Sequence, residues 1–158
     1  MDVPDWNDLK LAAELVVVTL QEKKGFIMKN LQITAYTQHF IRQQVMPGDI
    51  CIDATMGKGG DTYYLCSKTG ESGKVYAFDV QADALRQTRE KLDKHKMNAE
   101  LILDGHEHMK EYVKEMAVSC IMFNLGYLPG GDHHLATKTN TTIQAVEAGL
   151  GMLKTGGI

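Results

Sequence analysis

The sequence predicts an α/β fold, a parallel sheet covered by helices on both faces. Three observations carry this: short apolar runs alternate with helix-period segments, glycine-rich turns follow the runs, and an acid closes the second of them. The chain has 158 residues, 44% hydrophobic and 23% charged, which suits one domain with a buried core, and no second catalytic domain is expected.

The first clear helix is Thr34 to Val45, and Pro47-Gly48-Asp49 turns the chain into an apolar strand, Ile50 to Ala54. A helix near Asp61 to Lys68 and a turn at Gly70 to Gly73 lead to a second strand, Lys74 to Asp79. Ala82 to His95 is helical by period, Ala99 to Leu103 is a short strand, and His108 to Glu115 is read as a helix before the strand Ser119 to Phe123. A Gly/Pro-rich loop, Gly126 to Asp132, precedes a last helix, Thr141 to Leu153, closed by Thr155-Gly156-Gly157. Ahead of all this, Asp5 to Gln21 fits a helix by spacing and a strand by its run Val16-Val17-Val18-Thr19, and both readings stand. We therefore expect an N-terminal extension at residues 1–27 and the domain proper at 28–158.

The formal charge of -3 gives no global basic field, so any nucleic acid must be met by a local patch or a fitted pocket. Cys51, Cys66 and Cys120 stand apart among apolar neighbours, in neither a paired ligand motif nor a disulfide framework, which fits a reducing cytoplasm. Leu15 to Leu20 is too short to span a bilayer and no signal-peptide cleavage site follows it, so a cytoplasmic protein without a membrane partner is expected.

In open α/β sheets ligands bind beyond the carboxyl ends of the strands, and four such ends are informative here. The first, Asp53-Ala54-Thr55-Met56-Gly57-Lys58-Gly59-Gly60-Asp61, allows close backbone approach and offers a helix N-terminus to an anionic group. Asp79 closes the second strand about 20 residues later, the spacing at which an acid bonds ribose hydroxyls. A dinucleotide fingerprint would need a third glycine where Thr62 stands, and the acid Asp53 ahead of the glycines suits a methyl donor whose methionine ammonium must be held. Asp104-Gly105-His106 offers a carboxylate to an exocyclic amine of adenine. Asn124-Leu125-Gly126-Tyr127-Leu128-Pro129 suits methylation of an amine, since side-chain and backbone carbonyls accept its hydrogens and aim its lone pair.

From Met28 to Ile158 the chain closely resembles the small bacterial family labelled putative rRNA methylases, whose members are associated with methylating the aminomethyl group of the tRNA wobble uridine. The resemblance rests on Thr37-Gln38-His39, Asp53 to Thr62, Phe78-Asp79-Val80-Gln81, Asp104-Gly105-His106, the run Phe123 to His133, and Thr141 to Ala145. It implies a class I, Rossmann-like methyltransferase that takes S-adenosylmethionine and releases S-adenosylhomocysteine. His39, Asp53, Thr55, Gly57, Gly59, Asp61, Thr62, Asp79, Val80, Gln81, Asp104, Gly105, His106 and Asn124 are then the cofactor-binding set, and Asn124, Tyr127, Asp132 and His133 the catalytic set.

The implied partner is the tRNA anticodon region, with rRNA or a non-catalytic nucleotide-binding module as alternatives. Met56 and Lys58 depart from the family's small residue and Asn, and the glycines should keep their role. The family continues with three more strands past the final glycines, so the sheet is expected to stop before its fifth strand. The edge of the fourth would then be covered by residues 15–20, by a second copy in a homodimer, or by nothing.

Six histidines form no recognised zinc spacing, and no metal is expected. His95 and His108 read as solvated, the methionines as core filler, and Lys91, Lys94 and Lys96 as a solvated helix end.

Overall fold

The computed structural model describes residues 33–114, 117–125 and 138–158. The readings made for residues 1–27 and for the loop with Tyr127, Asp132 and His133 lie outside the described residues. Two compact units are distinguished, 1–37 and 38–158. Of the first, only the opening of helix α1 (Ile33–Gln44) is described.

In the second unit, strands β1 (Ile50–Asp53), β2 (Lys74–Asp79), β3 (Glu100–Leu103) and β4 (Val118–Met122) alternate with helices α2 (Gly60–Thr69) and α3 (Ala82–Lys94), a 3-10 turn (His106–His108), the short helix α4 (Met109–Tyr112), and α5 (Thr139–Leu150). The order across the sheet is β3-β2-β1-β4, and every pairing is parallel.

Strand alternation sorts the core into two layers. Ile52, Tyr76, Phe78, Ile102 and Val118 pack with Met109, Ala145, Ala148 and Met152 of the α4 and α5 side. Cys51, Val75, Cys120 and Met122 face the other way, against Ile41, Val45, Leu65, Cys66 and Leu92. Burial on both faces is why these strands read as continuous apolar runs. Helix α3 shows the complementary logic: Ala84, Thr88 and Leu92 form a buried stripe at four-residue spacing, while Arg86 pairs outside with Asp83 at 2.6 Å and Glu90 at 2.8 Å.

Two expectations are corrected. The helix expected over His108 to Glu115 starts as the 3-10 turn at His106 and ends at Tyr112, because Val113 adopts extended backbone (φ -91, ψ 107) and is buried at 2% exposure. A β-branched residue drawn into the core stops the helix. The outer edge of β4 is also occupied by the chain itself. Val118 N donates to Met152 O, Lys154 N to Val118 O, Ile158 N to Ser119 O, and Ile121 N to Ile158 O. Gly156, at φ 77, and Gly157, where a Cβ would stand 2.9 Å from Val118 O, let the chain return this closely.

Leu65 lies fully buried between α2 and the sheet. Leu65→Ala should cost roughly 2–5 kcal/mol of unfolding free energy, read as a lowered urea midpoint with an unchanged slope; an unmoved midpoint would contradict this packing.

Candidate active site at the switch between β1 and β4

The chain runs outward from β1 through β2 to β3 and then returns to β4 on the far side of β1. The crevice beyond the carboxyl ends of β1 and β4 is therefore the topological switch point, where such sheets hold ligands.

At its floor lies Asp53, with no exposed surface. One carboxylate oxygen accepts the Thr62 hydroxyl at 2.6 Å and the other the Thr55 N–H at 3.1 Å. Burial pushes its pKa up to about 6; the Thr62 and Thr55 bonds oppose the rise, and the charges of Asp61 and Asp79 add to it. The loop above it turns through left-handed backbone at Gly57 (φ 52) and Gly59 (φ 68). At Gly59 a Cβ would fall 2.6 Å from the buried Thr88 side chain, so both the backbone and the space demand glycine. The Thr88 hydroxyl in turn donates to Gly57 O at 3.2 Å. Motif reading missed Thr88, whose only signal is its place on the buried stripe of α3.

Asp79, at the end of β2, accepts Gly57 N–H on one oxygen and Gln81 N–H on the other, both at 2.9 Å. Each oxygen keeps further lone-pair capacity. Val80 follows, 56% exposed, an apolar surface beside the acid. Across the switch point, Asn124 N–H donates to the Thr55 hydroxyl oxygen at 2.7 Å, and its side-chain amide donates to Asp61 at 3.4 Å.

At the end of β3, Asp104 accepts Gly105 N–H at 2.7 Å, His108 Nδ1–H at 2.9 Å and the Tyr112 hydroxyl at 2.8 Å. The His108 and Tyr112 bonds hold its carboxyl below the usual range, and Asp104 raises His108. His108 is thus a brace for Asp104 and not merely solvated, a role that its four-residue spacing on a helical turn could have signalled. His95 likewise packs on Tyr63, with ring centroids 4.7 Å apart.

His106 is buried, and its Nδ1–H donates to Ala54 O at 2.9 Å. Its Nε2, also buried, has no hydrogen-bond partner among the described residues. Its ring stands edge-on to Phe123 at 5.8 Å.

The structure thus joins Asp53, Thr55, Thr62, Asn124 and Asp61 in one hydrogen-bonded set and Gly57, Asp79 and Gln81 in a second, with His106 bonded to Ala54 between Asp53 and Thr55. The ring nitrogens of His39 instead lie 3.4 Å from Arg42 and 3.2 Å from Gln43 on its own helix. Among the described residues no group of three or more His, Cys, Asp or Glu could hold a metal, and no helix is long and apolar enough to cross a membrane.

The parallel α/β sheet is the fold shared with solved structures described as S-adenosylmethionine-dependent methyltransferases. The profile of the family described as "Putative rRNA methylase" matches residues 75–158, more than half of the chain, and the chain belongs to that family. A crystal structure described as a putative rRNA-methylase from Clostridium thermocellum is 40% identical with a TM-score of 0.78, covering 82% of this chain and 70% of that one. A Streptococcus mutans structure, described as a putative methyltransferase in complex with SAH, is 40% identical with a TM-score of 0.74, covering 81% and 70%. Among curated relatives, the chloroplastic tRNA (mnm(5)s(2)U34)-methyltransferase of Arabidopsis thaliana is 37% identical over 145 residues. That match covers 85% of this chain and 53% of the relative, so the chain spans about half the relative's length.

The raised pKa of Asp53 carries a testable sign. The folded state holds this proton more tightly than the unfolded chain, whose value is 3.8. The contribution to stability is therefore full below about pH 4 and falls as pH rises through about 6, by roughly 3 kcal/mol in all. Urea unfolding should show the parent losing stability relative to Asp53→Asn between pH 4 and pH 7, and a difference independent of pH would refute the burial argument.

Proposed function

We propose that the chain transfers a methyl group from S-adenosylmethionine to the aminomethyl group of 5-aminomethyl-2-thiouridine at the tRNA wobble position. The observation that carries this is the switch-point crevice, where the glycine loop with its acids and Asn124 are joined by the Thr55 to Asn124 bond. The name of the Arabidopsis relative and the SAH bound in the Streptococcus structure support it.

The residues fit the cofactor. Asp79 has lone pairs left for two ribose hydroxyls, and Val80 offers apolar surface next to it. Asp53 and Asp79 interact electrostatically at one loop, which favours a bound ammonium. When bound, the cofactor supplies an electrophilic methyl group on a cationic sulfur. Asn124 offers a carbonyl acceptor to an amine hydrogen, and a backbone carbonyl of Leu125 or Gly126 takes the second. Tyr127 stacks on the flipped base, and Asp132 or His133 takes the released proton. These residues would raise the rate by aligning the amine and excluding water around it.

Two measurements test this. Asp79→Ala, checked as folded, should bind S-adenosylhomocysteine roughly 1.5–3 kcal/mol more weakly by calorimetry; unchanged affinity removes Asp79 from the site. Asn124→Ala should lower kcat for methyl incorporation into tRNA lacking the terminal wobble methyl by about two orders of magnitude, with cofactor affinity kept. Methylation of rRNA and not of that tRNA would overturn the substrate. Binding of the cofactor with transfer to neither RNA would mark a non-catalytic module.

A further inference from the structure

We propose that Asp61, with Thr55, is a positioning residue that fixes which end of the Asn124 amide faces the methyl acceptor. This rests on the reading of Asn124 as the acceptor pocket. The two ends of an Asn side chain are alike in shape and opposite in chemistry. The carbonyl end accepts an amine hydrogen and leaves the nucleophilic lone pair free. The NH2 end would donate to that lone pair and occupy the electrons that must attack. Asn124 is exposed at the end of β4, where an untethered amide would sample both orientations.

The structure removes that freedom in two places. The main chain is held by the 2.7 Å bond from Asn124 N–H to the Thr55 hydroxyl oxygen. The side chain is held by Asp61, whose carboxylate lies 3.4 Å from Asn124 Nδ2. A carboxylate oxygen accepts, so the end that faces Asp61 is the NH2 end and Oδ1 is turned to the other side.

Both tethers are themselves placed by the buried acid. Thr55 N–H and the Thr62 hydroxyl bind the two oxygens of Asp53, and Asp61 directly precedes Thr62 in the first turn of α2. A negative side chain is favoured at that end of the helix. Asp61 therefore acts through Asn124, in contrast to the direct cofactor contact that the family resemblance implies for it.

A double-mutant cycle on the full chain separates these roles. The four proteins are the parent, Asp61→Ala, Asn124→Ala and the double variant, each confirmed as folded by thermal melting. Each is assayed for single-turnover methyl transfer to tRNA carrying the free aminomethyl group and for S-adenosylhomocysteine affinity. Asp61→Ala should lower the transfer rate about tenfold or more, keep affinity within about twofold, and add nothing further once Asn124 is Ala. Asp61→Asn retains an acceptor oxygen and should recover part of the loss; it also stands in if Asp61→Ala does not fold.

A tenfold loss of S-adenosylhomocysteine affinity in Asp61→Ala, or an equal rate loss in both backgrounds, would overturn the proposal while leaving the acceptor pocket in place. Asn124→Ala transferring at the parent rate would overturn the pocket reading and this inference together.

Discussion

The arrangement depends on one buried carboxylate. Asp53 ends β1 with no exposure, and burying an acid without partners would cost several kcal/mol in effective desolvation. The cost is offset by two donors from different places, the Thr55 N–H two residues on and the Thr62 hydroxyl in the first turn of α2. Satisfying Asp53 thus fixes where the loop leaves the strand and where the helix begins. The eight residues between Asp53 and Thr62 cannot take another path without orphaning a buried charge.

Within that span the glycines answer a second constraint. The loop must pass over Thr88 of α3 and still bring Gly57 N–H to Asp79. Left-handed backbone at Gly57 and Gly59 makes the turn tight enough, and the missing Cβ at Gly59 makes room for Thr88. Asp79 consequently accepts Gly57 N–H across the β1–β2 gap and still keeps acceptor capacity to spare. Loop shape and the proposed ligand chemistry rest on the same atoms, which is why short strand-end motifs carry so much information.

Those motifs were legible because the physics behind them is local. Lys74 to Asp79 was readable as a strand since both of its faces are buried, and the Asp53 to Thr62 loop since only glycine suits its turns. What was not legible depends on contacts distant in sequence. Nothing near His108 shows that the chain stops being helical after Tyr112, because burial of Val113 decides it. Thr88 carries no motif, and its role follows only from the approach of α3 to a glycine 29 residues earlier. The placement of His106 could not be foreseen either, since it follows from a bond to Ala54 O across 52 residues. The return of residues 152–158 along β4 belongs to the same class.

That return bears on the site because Asn124 follows β4 by two residues. A slip of one residue in a strand exchanges its two faces. Here it would turn Cys120 and Met122 toward the wrong layer and draw Asn124 away from Thr55. The register against β1 already shifts once, between Ile50 and Cys51, so pairing with β1 alone is an imperfect ruler. The second edge supplies another: Val118 bonds Met152 and Lys154, and Ile158 bonds Ser119 and Ile121. Lys154 also reaches Asp49, just ahead of β1, at 2.7 Å. The strand is thereby gauged from both sides at its start and tied at its carboxyl end by the Thr55 hydroxyl. The Asn124 backbone stands at the crevice because those constraints agree.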